Sequence, residues 1–180
     1  DMLLVSKSLS GGLVPVGAVL MRREIFRKVF NRMERCIINA STFAENNLAM
    51  AAGLATLHVL DKEQLTERAA QMGDLLMKEL TRLKEQSELI KDVRGRGLMI
   101  AIEFGKPRSV KLMVGWKLVH ALSQGLFAQM IVMPLLSKHY ILTQVAGYNM
   151  DVVKLIPPLT ISQTEVTRLV NALPSVLKEA

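Results

Sequence analysis

Residues 6–18 read Ser6-Lys7-Ser8-Leu9-Ser10-Gly11-Gly12-Leu13-Val14-Pro15-Val16-Gly17-Ala18. They follow an apolar run at residues 2–5, which has the pattern of a strand entering a polar turn. Two adjacent glycines indicate a backbone that turns tightly or leaves room for a neighbour. A lysine at a strand end is usually a surface residue, but burial disfavours the charged ammonium and makes the amine a nucleophile for a carbonyl. Lys7 is therefore the first candidate for chemistry.

The residues that follow predict a mixture of strands and helices. A short strand is expected at residues 14–20, a helix at 24–35 and a polar loop at 39–43. The segment 47–60 is apolar on almost all sides, which predicts a buried helix. Asp61 and Gln64 resemble a capping box that starts an amphipathic helix. Its apolar stripe has helical spacing and comprises Leu65, Ala69, Met72, Leu76, Leu80 and Leu83.

The second half of the chain predicts strands and a final helix. Strands are expected at residues 98–104, 141–145 and 152–156, the last two joined by a Gly-Tyr-Asn turn at 147–149. Ser162 and Glu165 form an S-x-x-E cap for a C-terminal helix, which Pro174 is expected to kink or end. The element order predicts an α/β or α+β fold, with a domain boundary near Asp61.

Composition limits the classes of protein that this chain can belong to. It has 180 residues, of which 50% are hydrophobic, so a packed core is possible and disorder is not expected. A single cysteine excludes a disulfide scaffold and favours a reducing compartment, so we expect a cytoplasmic protein. The net charge of +7 suits an anionic partner, but only 4% of residues are aromatic, so we expect no nucleic-acid binding.

Two segments bear on whether the chain binds small anions or a membrane. The basic stretch at residues 21–35 is either a solvated helix face or a surface for small anions. Residues 118–137 carry no Asp, Glu, Lys or Arg and are long enough to span a bilayer, but they include several polar residues and a proline. We expect a buried helix, a break near Gly125 and a second apolar segment, and therefore no membrane association.

Two further groups of residues could bind anions. Arg94 and Arg96 lie in an R-G-R-G sequence before a strand, where guanidinium groups on a tight turn either bind a carboxylate or are solvated. Ser41 and Thr42 precede a helix, where adjacent hydroxyls either hold a phosphate or cap the helix. The three histidines and Cys36 have no metal-ligand spacing, so no metal site is expected.

Four segments, taken in order, resemble class III aminotransferases. Residues 6–18 are similar to the family's cofactor-lysine segment, and residues 40–57 resemble its S-T-F-x-x-N-x-L-A helix entry. Residues 93–103 are similar to its V-R-G-x-G-L-M strand, and residues 155–161 to its closing L-x-P-P-L segment. The resemblance covers nearly the whole chain. Ornithine, acetylornithine and 4-aminobutyrate aminotransferases are members of this family.

The resemblance implies a fold-type-I enzyme that depends on pyridoxal phosphate. Lys7 is then the Schiff-base lysine, which also moves the proton between substrate and cofactor. Thr42, with Ser41 beside it, is expected to bind the cofactor phosphate across a homodimer, and Arg94 to clamp the substrate α-carboxylate. The reaction moves an amino group from an amino acid or ω-amine to a 2-oxo acid. Residues 1–60 are expected to be the end of the large domain, and 61–180 the small α+β domain.

Two departures from the family pattern bear on activity. Glu45-Asn46-Asn47 stands where the family usually has Gly-Asn-Pro, which leaves the substrate preference open. The family's phosphate loop, ring-stacking aromatic residue and pyridine-binding Asp precede the lysine and are not in these 180 residues. We therefore expect the chain alone to be inactive. The alternatives are a truncated, non-catalytic module for self-association or other interaction, and a basic surface binder supported only by the net charge.

Overall fold

The computed structural model of the protein describes residues 1–37, 41–148 and 150–179. Asn39 and Ala40 of the predicted polar loop, and Asn149 of the predicted turn, lie outside the described residues. The chain divides into two units, which we call unit 1 (Asp1–Gln64) and unit 2 (Leu65–Ala180). Strands and helices are mixed in both, so the predicted α/β character is confirmed.

Unit 1 is built on a pair of antiparallel strands. Its elements are β1 (Met2–Ser6), a 3₁₀ turn (Lys7–Ser10), β2 (Gly17–Met21), α1 (Arg23–Val29), a second 3₁₀ turn (Met33–Arg35) and α2 (Asn47–Lys62). The register places Met2 opposite Met21 and Ser6 opposite Gly17. The helix predicted over 24–35 is shorter than expected, because Phe30 leaves the helical backbone at φ −101° and ψ 56°.

The prediction that α2 is buried is wrong for the chain as described. Only Ala49 and Gly53 of this helix are buried. Gly53 lies against the 3₁₀ turn at Lys7–Ser10, and among the described elements of unit 1 this turn makes the main contact with the helix. Most of the larger apolar side chains of α2 are exposed, and Leu54 is 70% exposed. Unit 1 thus has small residues inside and large ones outside, the reverse of an ordinary core.

Unit 2 contains a four-stranded antiparallel sheet with strand order β3-β4-β6-β5. Its elements are α3 (Leu65–Gln86), β3 (Ile90–Arg96), β4 (Met99–Phe104), α4 (Val110–Leu122), α5 (Leu126–His139), β5 (Gln144–Val145), β6 (Val152–Leu155) and α6 (Gln163–Glu179). Helices α3 and α5 pack on the sheet, and α6 packs on both of them. Of the strand predicted at residues 141–145, only Gln144–Val145 forms a strand, β5.

The core of unit 2 follows the predicted periodicities. Ile100, Ile102 and Phe104 alternate along β4 and are buried, as expected for a strand with one covered face. The predicted stripe of α3 is confirmed, with Leu76 and Leu80 fully buried. Complete burial of one leucine side chain contributes about 1.5–3 kcal/mol, so these residues supply much of the unit's stability.

The two predicted capping boxes have different outcomes. Ser162 and Glu165 form theirs: the Ser162 amide donates to Glu165 Oε2 at 2.8 Å, and the Glu165 amide donates to Ser162 Oγ at 3.3 Å. The box at Asp61 is wrong, because Asp61 lies in the last turn of α2 and Gln64 adopts φ 50°, which interrupts the helix. Helix α3 begins one residue later, at Leu65.

Helix α6 does not end at Pro174 but continues to Glu179. Val176 and Leu177, beyond the proline, are buried in the core, and this packing offsets the hydrogen bond that proline cannot donate.

The uncharged segment forms a helix, a break and a second apolar segment that is also helical. The prediction that the first helix is buried is wrong, because no residue of α4 is buried. Helices α4 and α5 are separated by a break in which Gly125 has φ 78°. No single helix among the described residues is long and apolar enough to cross a membrane. The α4–α5 pair meets the length and composition criteria only when taken together, and it is bent by 101°.

Candidate functional site

Lys7 occupies a strained position directly after β1. Its backbone lies in the left-handed region at φ 55°, which costs an L-residue roughly 1–2 kcal/mol. Ser6 before it is extended, and Gly11 closes the 3₁₀ turn by donating its amide to the Ser8 carbonyl at 3.0 Å. The Lys7 side chain is exposed, so its amine is accessible to a ligand. Strain of this kind at a reactive side chain is typical of functional sites.

Helix α2 forms the floor of the Lys7 turn. A Cβ atom added to Gly53 would lie 3.7 Å from the Leu9 carbonyl oxygen, and one on Gly11 would lie 3.5 Å from Thr56 Oγ1. Small residues on this face of α2 therefore let the helix approach the backbone of the turn closely. The helix entry and the lysine turn are brought together by this contact, although the sequence separates them by about forty residues.

Ser41 and Thr42 lie in a turn before α2, and neither caps the helix. Asn46 does so: its Oδ1 accepts the Ala49 amide at 2.9 Å, and its Nδ2 donates to the Phe43 carbonyl at 2.8 Å. Ser41 Oγ accepts the Phe43 amide at 3.3 Å, which shapes the turn. The Thr42 side chain is exposed. Of the two alternatives for these hydroxyls, helix capping is thus excluded, while phosphate binding stays a prediction.

Arg94 lies within strand β3 of unit 2, and not on a tight turn as predicted. The turn is at Gly97 and Leu98, because β3 continues to Arg96. Gly95 is required inside the strand, since a Cβ there would lie 2.3 Å from the Met99 carbonyl oxygen. Among the four predicted site residues, Lys7, Ser41 and Thr42 belong to unit 1, and Arg94 belongs to unit 2.

The Arg94 guanidinium is already engaged by two carboxylates. Its Nη1 donates to Asp92 Oδ2 at 3.2 Å and also to Glu103 Oε2, while Lys91 donates to the other oxygen of Glu103. The hydrogen bond from Arg94 lowers the pKa of Asp92, and the bonds from Lys91 and Arg94 lower that of Glu103. The bond to Glu103 in turn raises the pKa of Arg94. Arg94 is 49% and Asp92 41% exposed, so this ion pair contributes little to stability, whereas Glu103 is 23% exposed and is less screened by solvent.

The described residues contain a histidine–carboxylate pair that the sequence analysis did not identify. His120 Nε2–H donates to Asp151 Oδ2 at 2.6 Å, and Nδ1–H donates to the Trp116 carbonyl at 2.8 Å. A carbonyl can only accept, so Nδ1 carries a proton, and the carboxylate of Asp151 favours a second proton on Nε2. Burial lowers the pKa of His120, but the bonds to Asp151 and Trp116 outweigh this effect and leave it raised. His120 and Asp151 are 31 residues apart, and no local pattern in the sequence links them.

No group of three or more potential metal ligands occurs within the described ranges. A cleft of about 1040 Å³ lies in unit 2 between the end of α3 and the start of β3, and it contains none of the four predicted site residues. Ser10, the buried last residue of the 3₁₀ turn that begins at Lys7, is a further residue that the sequence did not single out.

Comparisons of the sequence with family models and with curated proteins identify the same family. The family model described as aminotransferase class-III matches residues 1–177. An alanine–glyoxylate aminotransferase 2 homologue from Arabidopsis thaliana is 33% identical over 173 residues, which are 96% of this chain and 33% of the relative. Ornithine aminotransferase 1 from Staphylococcus saprophyticus is 32% identical over 179 residues, which are 99% of this chain and 38% of the relative.

Solved structures agree with this result. The adenosylmethionine-8-amino-7-oxononanoate aminotransferase of Methanocaldococcus jannaschii is similar at TM-score 0.78 and 32% identity, covering 100% of this chain and 39% of that one. A pyridoxal-phosphate-bound amine transaminase from an uncultivated Pseudomonas species is similar at TM-score 0.81 and 28% identity, over 99% of this chain and 38% of that one. The chain thus spans between a third and two-fifths of the length of these proteins. It belongs to the class III aminotransferase family.

Proposed function

We propose that this chain carries the cofactor-binding lysine, Lys7, of an aminotransferase that moves an amino group from an amino acid or ω-amine to a 2-oxo acid. The observation that carries the proposal is the strained, solvent-accessible Lys7 turn, which lies within a segment matched to the family. Pyridoxal phosphate, the cofactor of this family, supplies an electron sink that stabilises negative charge on the substrate carbon.

The residues of the Lys7 turn fit this cofactor. Lys7 offers an exposed primary amine, which is the group that bonds to the aldehyde. Gly11 and Gly12, at φ 68° and 81°, leave the neighbouring backbone without side chains, so a planar ring can approach. Lys7 Nζ, free once the substrate amine takes its place, would act as the base that takes the proton from the substrate Cα and delivers it to the cofactor.

Thr42 and Ser41 are proposed to hold the cofactor phosphate. In support, the Thr42 side chain is exposed, and Asn46 rather than either hydroxyl caps α2. Both side chains are short, and their hydroxyl groups can donate hydrogen bonds to an anionic oxygen. By the family resemblance, Thr42 serves the site of a second subunit, so the active enzyme is proposed to be a homodimer.

For Arg94 we propose the role of binding the substrate carboxylate. A guanidinium forms paired hydrogen bonds with carboxylates, and the Arg94 side chain is 49% exposed. Asp92 and Glu103 already occupy the Nη1 donor, so a substrate must bind through the remaining N–H groups or displace one carboxylate. In the enzyme completed by the further protein that unit 1 requires, Arg94→Lys should raise the substrate KM more than Arg96→Lys does, and an equal effect of the two would exclude this role.

We infer that the isolated chain is not a competent aminotransferase, and that unit 1 requires further protein to complete it. Strands β1 and β2 form a two-stranded sheet whose residues are almost all exposed, and such hairpins are at best marginally stable alone. We assign unit 1 to the end of the family's large cofactor-binding domain and unit 2 to its small domain. Robust turnover by the purified 180-residue chain would overturn the inference.

A second candidate function is a non-catalytic module that associates with itself. The exposed apolar side chains of unit 1 favour it, because Leu4, Leu13 and Leu54 are each 70% or more exposed. Mass measured by sedimentation should then rise with concentration, and a monomer at high concentration would exclude it. In either case a reducing compartment such as the cytoplasm suits Cys36, whose thiol is free and exposed.

The test of the Lys7 assignment is a titration with pyridoxal phosphate, followed by visible absorbance. We expect a saturable band in the wild type that is lost in Lys7→Ala. Lys28→Ala removes another exposed lysine of unit 1 and should leave the band unchanged. A band that Lys7→Ala retains would show that the cofactor binds to other lysines, and the assignment would be wrong.

A further inference from the structure

We propose that Ser10 is a positioning residue, which holds the backbone of Lys7 in its left-handed conformation and so fixes the direction of the lysine side chain. This inference rests on the proposed function of Lys7. Ser10 is 2% exposed, and it and Thr143 are the only buried polar residues in the part of the chain that the structure describes. A buried hydroxyl must be hydrogen-bonded or it destabilises the fold, so its partners indicate what it does.

The partners of Ser10 join the two ends of a loop. Ser10 Oγ donates to the Val14 carbonyl and accepts the Val14 amide at 3.2 Å. One side chain thus satisfies both backbone groups of Val14. The same oxygen lies 3.4 Å from the Lys7 carbonyl, at the start of the 3₁₀ turn. Ser10 therefore holds Val14 close to the start of the turn, as a hydrogen-bonded pair of backbone groups would do at the ends of a loop.

This closure accounts for the strain at Lys7. The residue before it, Ser6, is fixed by its place opposite Gly17 in the strand pair. Three residues after it, Ser10 is fixed by Val14. With both sides held, Lys7 has to make the reversal between strand and turn, and it does so at φ 55°. A left-handed non-glycine residue persists only where its surroundings enforce it, and Ser10 is the side chain that does so here.

The helical floor supports the same arrangement. Gly53 of α2 lies beneath the Leu9 carbonyl, and Ala49 beside it on that face is buried. The turn is therefore supported from below by α2 and closed from within by Ser10. Loss of the Ser10 hydroxyl leaves the contact with α2 in place but removes the hydrogen bonds to the Val14 backbone, so the expected effect is local.

The experiment compares Ser10→Ala with Ser8→Ala. Ser8 lies in the same turn but is exposed, so its substitution should have no effect. Two readouts are used on the 180-residue chain. Hydrogen exchange of the Val14 amide reports closure of the loop without any cofactor. The pyridoxal phosphate concentration needed for half-maximal borohydride-trapped adduct at Lys7, relative to that at Lys28, reports positioning of the amine.

In Ser10→Ala we expect faster exchange at Val14 and a loss of about five- to thirtyfold in the apparent affinity at Lys7, with Lys28 unchanged. Wild-type affinity at Lys7 in Ser10→Ala would overturn the proposal. If Ser10→Ala does not fold, Ser10→Cys, with a similar volume and a weaker donor, is measured in its place and the same loss is expected.

The two proposals fail in different ways. If Lys7 of the wild type forms no adduct in preference to Lys28, the function proposed for Lys7 is wrong. Exchange at Val14 then still decides whether Ser10 closes the loop. Unchanged exchange in Ser10→Ala overturns the role of Ser10 whatever Lys7 does.

Discussion

Gly73 of helix α3 is the position where a single methyl group should most clearly disturb unit 2. It is buried against the turn between β3 and β4. A Cβ at Gly73 would lie 2.3 Å from the Gly97 carbonyl oxygen and 2.4 Å from its carbonyl carbon. These are backbone atoms, so no side-chain rotation relieves the contact. Gly73→Ala therefore has to separate the helix from the strand pair that carries Arg94.

The expected magnitude follows from two opposing effects. Replacing glycine by alanine inside a helix stabilises it by roughly 0.5–1 kcal/mol. Adding a methyl group to a packed interface costs about 1–3 kcal/mol, and the contact with Gly97 belongs at the upper end of that range. We expect Gly73→Ala to lower the free energy of unfolding by about 2–2.5 kcal/mol.

Gly115 of α4 provides the matched control, because nothing lies within 4 Å of a Cβ placed there. Gly115→Ala should show only the helix effect and stabilise the protein by about 0.5–1 kcal/mol. The assay is urea unfolding followed by fluorescence of Trp116, the only tryptophan and a residue of unit 2, and by circular dichroism. If Gly73→Ala is as stable as the wild type, the packing of α3 on the β3–β4 turn is not as described.

The remaining predictions concern ionisation and capping. His120→Gln should destabilise unit 2 below the ordinary imidazole pKa of 6.5, and the difference from wild type should vanish as the pH rises through the raised pKa of His120. Urea unfolding between about pH 6 and pH 9 measures this, and a pH-independent difference would contradict it. Ser162→Ala should cost about 1 kcal/mol, because it removes the N-cap of α6, while Thr164→Ala in the same exposed turn should be nearly neutral in thermal unfolding.

Features of the fold that depend on nearby residues were predictable from the sequence. The capping box of Ser162 and Glu165 and the break at Gly125 each depend on a few neighbouring residues. The stripe of α3 repeats over five turns, so its period is clear. The start of α3 was mispredicted, and of the two effects expected of Pro174, a kink in α6 or its end, the end does not occur. Packing of Val176 and Leu177 carries α6 past the proline, and the left-handed Gln64 separates two helices without a glycine.

The candidate site was predictable in its residues but not in its geometry. A family resemblance identified Lys7, yet no pattern indicates that a lysine adopts φ 55°. The partners of Arg94 depend on the pairing of β3 with β4, which places Asp92 opposite Glu103. That register is set by the turn at Gly97. The R-G-R-G sequence resembles a turn locally, so it did not indicate that Arg94 lies within a strand. Burial of Ser10 likewise follows from α2, which is distant in the sequence.

The central claim is that Lys7 is the residue to which the cofactor bonds. Its most direct test is to incubate the chain with a limiting amount of pyridoxal phosphate, reduce with borohydride and locate the added mass by peptide mass spectrometry. The account predicts that the peptide containing Lys7 carries most of the label. Label distributed evenly among the exposed lysines, with no preference for Lys7, would contradict it.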